Sequence, residues 1–384
     1  MTSDPFGLRN LDLDDLRARR VAKWQAHPNR FAAWVADMDF PVAPPIAAAL
    51  HELVDRHELG YPNWGGPYAP SPAAKLFPER MSERYGWALD TDRVHDLVDV
   101  IQGVRAAIHH RSVPGDGIVL HLPAYHPFLD SIEASGRRLL GVARDGDGFD
   151  YDDLDERLRH DHTARIWILC HPHNPLGHVF ERGELERIAE IAARHDLLVI
   201  SDEIHADITM PGHVHVPFAS LGDEVASRTV TVTSASKAFN LAGLRWAVTH
   251  AGDRRFHDAL TTLPGHYLGA ANVMAVTAAV AAWTECAPWL DAVIDVVDEN
   301  RRRLVDLIDE HLPGARYRPP DATYLAWLDV SALDLGDDPA EVFRERGVEV
   351  SAGPQFGRGG EGHVRLNLAT SPDVLGATVA AMAG

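Results

Sequence analysis

Five short apolar runs constrain this chain more than any other feature. Each is followed within a few residues by a polar, aromatic or glycine residue, and helix-like segments separate them. The runs are Leu97–Ile101, Gly117–Leu120, Ile166–Leu169, Leu197–Ile200 and the β-branched Thr229–Thr233. Between the third and fourth, Glu184 to His195 places Leu185, Ile188, Ala189 and Ala192 on one helical face. Strands that are apolar on both faces and alternate with helices predict a parallel α/β sheet. Ligands of such sheets bind beyond the carboxyl ends of the strands. The residues that follow the runs are therefore the candidates: Gly103, Tyr125, Asn174, Asp202 and Ser234 to Lys237.

At 384 residues the chain is long for one compact core, so two packed domains are expected. Residues 45–280 are assigned to a large domain built on the sheet. Residues 1–44 and 281–384 are assigned to a smaller α+β domain, where Asp291–His311 reads as a long charged helix and 323–328 and 362–368 read as strands. No internal repeat, low-complexity tract or Gly/Ser linker interrupts this order.

Acidic residues outnumber basic ones by 56 to 36, a formal net charge of −20, which disfavours nucleic acid and anionic membranes as partners. Two cysteines, Cys170 and Cys286, cannot make a disulfide framework, and the N-terminus lacks the order of a signal peptide. A cytoplasmic protein is expected. Histidine is abundant at 22, yet there is no His-Glu-x-x-His or Cys-x-x-Cys, and His213 and His215 lack an obvious third ligand. No metal site is expected. A Gly-x-Ser-x-Gly elbow is also missing, which argues against a serine hydrolase.

Each candidate has a bland local explanation as well as a chemical one. Lys237, at a strand end among small residues, is placed for desolvation that frees its amine to attack an aldehyde; alone, it reads as a loop lysine. Asp202 suits a protonated pyridine nitrogen, or a helix N-cap. Asn174-Pro175-Leu176-Gly177 suits an oxyanion contact, or simply a turn. Gly103 and Val104 mark a strand-to-helix junction whose N–H groups can bind an anion, with Ser234, Ser236 and Arg245 as further donors. Tyr125 can stack on a planar ring, or pack.

Taken together, His173–Gly177, Ser201–Asp207 and Ser234–Leu244 resemble the fold type I pyridoxal-phosphate enzymes of the class I/II aminotransferase superfamily. Asn174, Asp202 and Lys237 stand 28 and then 35 residues apart, as they do in that group. Trp34–Phe40, Gly60-Tyr61, His205 in place of a common tyrosine, Thr323–Leu328 and Gly359–Gly362 resemble most the cystathionine β-lyase (C–S lyase) group of MalY/PatB type. The resemblance implies a mostly parallel seven-stranded sheet with flanking helices plus the smaller domain, and pyridoxal 5′-phosphate bound to Lys237 as a Schiff base. Asp202 would pair with the ring nitrogen, Asn174 and His205 would contact the ring hydroxyl, and Tyr125 would stack on the ring. Gly103, Val104, Ser234, Ser236 and Arg245 would hold the phosphate. Tyr61 would arrive from the neighbouring subunit of a homodimer with shared sites, and Arg365, with Asn174, would bind the substrate carboxylate.

Three features depart from the group: the charge of Arg245, more usual in aminotransferases; Arg105 in the phosphate turn; and a long 65–72 stretch. The implied reaction is elimination from a cysteine thioether to a thiol, pyruvate and ammonia. Amino-acid transamination is the alternative, and a cofactor-binding regulatory protein a distant third.

Overall fold

The computed structural model describes residues 4–66, 69–146, 148–264 and 267–384. Its centre is a seven-stranded sheet made of β1 (Val94–Leu97), β2 (Gly117–His121), β3 (Arg138–Val142), β4 (Ala164–Cys170), β5 (Leu198–Asp202), β6 (Thr229–Thr233) and β7 (Ala247–Ala251). The spatial order is β1-β7-β6-β5-β4-β2-β3. All neighbours are parallel except β7, which runs antiparallel to both β1 and β6. The expected mostly parallel α/β sheet is therefore present, with the expected number of strands.

The apolar runs are continuous because both faces are covered. Along β4, Ile166 and Ile168 pack with Val104 and Ile108 of α1 (Val100–Arg111) and Phe128 of α2 (His126–Ala134). Trp167 and Leu169 point the other way, into a core shared with Leu185, Ile188 and Ala192 of α3 (Arg182–Arg194). Adjacent residues thus feed opposite cores, which a half-buried strand with polar alternation could not do.

A four-stranded antiparallel sheet follows, made of β8 (Arg316–Tyr317), β9 (Leu325–Asp329), β10 (Ser351–Ala352) and β11 (His363–Asn367), in the order β8-β9-β11-β10. Helix α4 (Ala287–His311) precedes it and buries Trp289, Leu290, Val293, Val297, Leu304 and Ile308 at helical spacing. The N-terminal segment joins this half of the molecule, since Phe31–Ala32 pairs in parallel with Val348–Glu349. Among the described residues no single helix is long and apolar enough to cross a membrane.

One reading of the sequence is displaced. The run Leu97–Ile101 is not a strand: β1 ends at Leu97, and Val100 and Ile101 open α1. Asp99 is the N-cap, its carboxylate accepting from the Gln102 N–H at 2.7 Å, and the Gln102 side chain accepts from the Val98 N–H at 2.9 Å. That Asp-x-x-Gln signature resembles a capping box and outranks the β-propensity of three apolar residues.

The turn after β4 is locked to the other half of the molecule. Gly177 has φ +65°, and a Cβ there would sit 2.2 Å from the Pro320 Cβ and 2.9 Å from the Ala322 oxygen. Its carbonyl accepts from the N–H groups of Asp321 and Ala322. Gly177→Ala is therefore expected to lower unfolding free energy by about 2–4 kcal/mol, combining left-handed strain with overpacking. Gly183→Ala, in α3 where a Cβ meets nothing within 4 Å, serves as the sterically free control, unchanged or slightly stabilised by helix propensity. Chemical denaturation of both variants checks this, and equal stability would remove the steric reading of Gly177.

Candidate active site

The carboxyl ends of β4, β5 and β6 open on one cavity of about 790 Å³. Its wall includes Asn174, Asp202, His205, Ser234, Ser236, Lys237 and Tyr125, with Asp99, Val100, Ile101 and Gln102 at one end and Arg245 beside them. Residues far apart in sequence meet because parallel strands align their ends. The β4–β5 register sets Cys170 opposite Asp202, and Asn174 follows four residues later.

Lys237 follows β6 in a turn built by Ser234. The Ser234 hydroxyl donates to the Trp246 carbonyl at 2.6 Å and accepts from the Ser236 N–H at 3.0 Å. The Lys237 Nζ donates to the Ala36 carbonyl at 2.9 Å. Burial lowers its pKa from the ordinary lysine value; Asp37 and Asp202 oppose that shift, and Arg365 adds to it. A larger fraction of neutral amine is the consequence.

Asp202 is 3% exposed and accepts from the Ile204 N–H at 3.0 Å. Burial pushes its carboxyl up to about 7, with Glu203 adding to the rise and the Ile204 bond and Lys237 opposing it. No cationic side chain forms an ion pair with it among the described residues. His205 is buried, its Nδ1 has no partner among the described residues, and burial together with Lys237 and Arg365 lowers it to about 3, so it stays neutral.

Arg365 lies beyond Asn174 rather than on the cavity wall. Its Nη1 donates to Asn174 Oδ1 at 3.1 Å, its Nη2 to the Trp34 carbonyl at 2.9 Å and to the Ser351 hydroxyl at 3.2 Å, and it stacks on the Phe356 ring at 4.9 Å. Burial lowers its pKa to about 10. It has no carboxylate partner among the described residues, and its buried Nε is unbonded there. A guanidinium held only by neutral acceptors is suited to an incoming carboxylate.

The phosphate contacts inferred from sequence need correction. The Gly103 N–H is already bonded to the Asp99 carbonyl, and Val104 is fully buried in the helix. Gly103 is small because a Cβ would lie 2.6 Å from Leu97 Cδ1 and 3.0 Å from Val232 Cγ1, where α1 crosses the sheet. The Gln102 N–H is capped by the Asp99 side chain, so the first-turn N–H groups without a partner among the described residues belong to Val100 and Ile101, because the helix starts three residues earlier than expected. Arg245, in the left-handed region at φ +61°, reaches Asp99 Oδ2 at 3.5 Å. Arg105 is not in that turn; it sits inside α1 and donates to the Ser131 hydroxyl at 3.0 Å. Tyr61 does not line this chain's cavity and is fully exposed. Of the 65–72 stretch, Pro67 and Tyr68 lie outside the described residues.

Sequence reasoning missed the roles of Asp99, Ala36 and Tyr324. Asp99 was legible in the Asp-x-x-Gln cap. Ala36 contributes only a carbonyl, and no side-chain pattern announces that.

The class I and II aminotransferase profile matches residues 48–381. The chain belongs to that family. Among its relatives, the cystathionine β-lyase PatB of Bacillus subtilis is 35% identical over 346 residues, covering 88% of each chain. A cystathionine β-lyase of Corynebacterium glutamicum is 32% identical, covering 96% of this chain and 97% of its own. Among solved structures, cystalysin from Treponema denticola, which contains pyridoxal 5′-phosphate, superposes with a TM-score of 0.89 at 27% identity, covering 100% of this chain and 98% of that one.

The donor set of this aminotransferase-family chain fits that cofactor. A desolvated amine, a buried carboxylate lacking a cation and helix N–H groups flanked by Ser236 and Arg245 face one cavity. Asp202 has a measurable cost. Its carboxyl ionises near 7 in the folded chain and near 3.9 unfolded, so the folded state holds more protons between those values. Stability should fall as pH rises through that window and stay low above it. Asp202→Asn is expected to stabilise the cofactor-stripped protein by on the order of 2–4 kcal/mol at pH 8, with no gain below about pH 4, while turnover collapses. Thermal melts across pH check the sign; an Asn variant that melts lower at pH 8 would refute it.

Proposed function

We infer that this chain is a pyridoxal-phosphate-dependent C–S β-lyase that cleaves cystathionine or a related cysteine thioether to a thiol, pyruvate and ammonia. The observation that carries the cofactor reading is the buried Asp202 carboxylate, without a cationic partner among the described residues, sharing a cavity with the desolvated Lys237 amine. The relatives named as cystathionine β-lyases, matched along most of their length, carry the choice of reaction.

Pyridoxal phosphate supplies an aldehyde that captures the substrate amine and a ring that accepts the electron pair left at the α-carbon. The chain does the rest. Lys237 would hold the cofactor, and its amine, when free, would take the α-proton of the substrate. Asp202 would hold a proton on the cofactor's ring nitrogen through a charge-assisted bond. Arg365 and Asn174 would receive the substrate carboxylate, Tyr125 would cover the cofactor, and Asn174 with neutral His205 would serve as its hydroxyl's partners. The Val100 and Ile101 N–H groups, Ser236 and Arg245 would receive the phosphate, whereas Ser234, expected from sequence to join them, has its only donor proton on the Trp246 carbonyl and shapes the turn instead. A thiolate on the β-carbon leaves, and the remaining three-carbon unit hydrolyses.

With L-cystathionine or an S-alkyl-cysteine, pyruvate should accumulate far beyond one equivalent of enzyme with no 2-oxo acid added, and Lys237→Ala should release none. Product limited to one equivalent until 2-oxoglutarate is supplied would replace the lyase with an aminotransferase.

The working unit in this reading is a homodimer in which Tyr61 enters the partner's cavity. Its support is a tyrosine fully exposed in its own chain, near the half-exposed Leu59. The buried, unpaired Cys170 and Cys286 support a reducing, cytoplasmic setting. Mixing Tyr61→Ala and Lys237→Ala chains should regain about a quarter of wild-type activity, since half of a random mixture is hybrid and each hybrid holds one intact site. No recovery after demonstrated subunit exchange would exclude Tyr61 from the shared site.

A further inference from the structure

The segment Trp34–Asp39 crosses the active site as bare backbone, and its carbonyls hold the groups that do the chemistry. Arg365 and Ser351 donate to the Trp34 oxygen, and Asn367 donates to those of Val35 and Asp37. Asn240 clasps both backbone groups of Met38 at 3.0 Å. The Ala36 carbonyl is the point of contact with Lys237. It accepts two hydrogen bonds, one from Lys237 Nζ and one from the Tyr324 hydroxyl, each at 2.9 Å. A carbonyl has two lone pairs, and here both are in use.

Tyr324 is 1% exposed, and its ring meets His205 edge-on at 6.3 Å. Burial holds its phenol well above the usual tyrosine range, so it remains a donor at every pH of interest. The charged groups facing Lys237 are Asp37 and Asp202, which favour its ammonium form, and Arg365, which opposes it. His205 stays neutral beside them.

We propose that Tyr324 is a positioning residue for Lys237: it anchors the Ala36 carbonyl, fixes where the freed lysine docks, and weakens that carbonyl as an acceptor for the ammonium. The inference rests on the reading of Lys237 as the base. In that step the substrate Cα–H bond breaks, the electron pair stays with the carbon, and the proton moves to Nζ. The ammonium so formed donates to the Ala36 oxygen. A carbonyl already bonded to Tyr324 stabilises that ammonium less, so the amine returns more readily to its neutral form.

The test reads Lys237 directly. In the cofactor-stripped full chain, amine-selective acylation followed by mass spectrometry across pH gives the Lys237 titration. Tyr324→Phe should move it up by roughly half to one pH unit. In the holoenzyme, kcat at neutral pH should fall about three- to tenfold with KM within about twofold, and the α-deuterium isotope effect should grow. Placing 3-fluorotyrosine at 324, a stronger donor of the same shape, should move the titration down, and it keeps the test open if the Phe variant does not fold. A titration unmoved by either change overturns the proposal even if the enzyme is a fully active lyase. A shifted titration in a protein that releases no pyruvate sinks the lyase reading and leaves the Tyr324–Lys237 coupling standing.

Discussion

A backbone segment whose carbonyls take hydrogen bonds from both halves of this molecule ties them together at the candidate site. Trp34–Asp39 accepts hydrogen bonds from Arg365 and Asn367 on β11, from Tyr324 ahead of β9, and from Asn240 and Lys237 after β6. Those donors come from both sheets. A fully buried Lys23 anchors the far end, pairing with Asp39 at 2.9 Å and donating to the Asp37 carbonyl at 3.0 Å, while the Trp24 indole N–H donates to the same Asp39 carboxylate. Buried backbone polar groups must be paired. The strap and the site therefore depend on each other: without the strap the side chains keep unsatisfied donors, and without the side chains the strap keeps unsatisfied carbonyls.

The same dependence explains the electrostatics. A parallel sheet delivers Asn174 and Asp202 from β4 and β5 to one edge, and β6 leads into Lys237, but burial there is costly for charge. The structure meets that cost unevenly. Asp207 is held well by Arg80 and Arg84, and burial is overcome so that its carboxyl lies below the usual range. Asp202, five residues earlier, has among the described residues only a backbone N–H as hydrogen-bond donor and rises to about 7. Two carboxylates of one short segment are tuned apart by their partners alone. The one facing the cavity is the one left wanting a cation, as expected of a group that serves a ligand.

The phosphate end shows a different compromise. Asp99 caps α1 and so places a carboxylate beside the helix N–H groups that suit an anion, and Arg245 approaches that carboxylate at 3.5 Å. The unusual charge of Arg245 thus has a local reason: it faces the Asp99 that the cap requires.

What the chain determined by itself is local. Apolar runs of strand length, the helical face of Leu185, Ile188, Ala189 and Ala192, and the polar groups after each run identified the parallel sheet and its productive edge. They also picked out Asn174, Asp202 and Lys237, because strand ends and motif residues are close in sequence. Where two local signals competed, the reading slipped: Val98, Val100 and Ile101 look like strand, yet the Asp99 cap makes helix of the last two, and the N–H groups left without a partner among the described residues are those of Val100 and Ile101 rather than of Gly103 and Val104. Only tertiary structure decided the rest. Arg365 meets Asn174 across 191 residues, Lys237 meets Ala36 across 201, and Tyr324 meets the same carbonyl across 288. In the last two the acceptor is a backbone oxygen, which every residue possesses. No residue type marks such a partner, so burial and chain path alone select it.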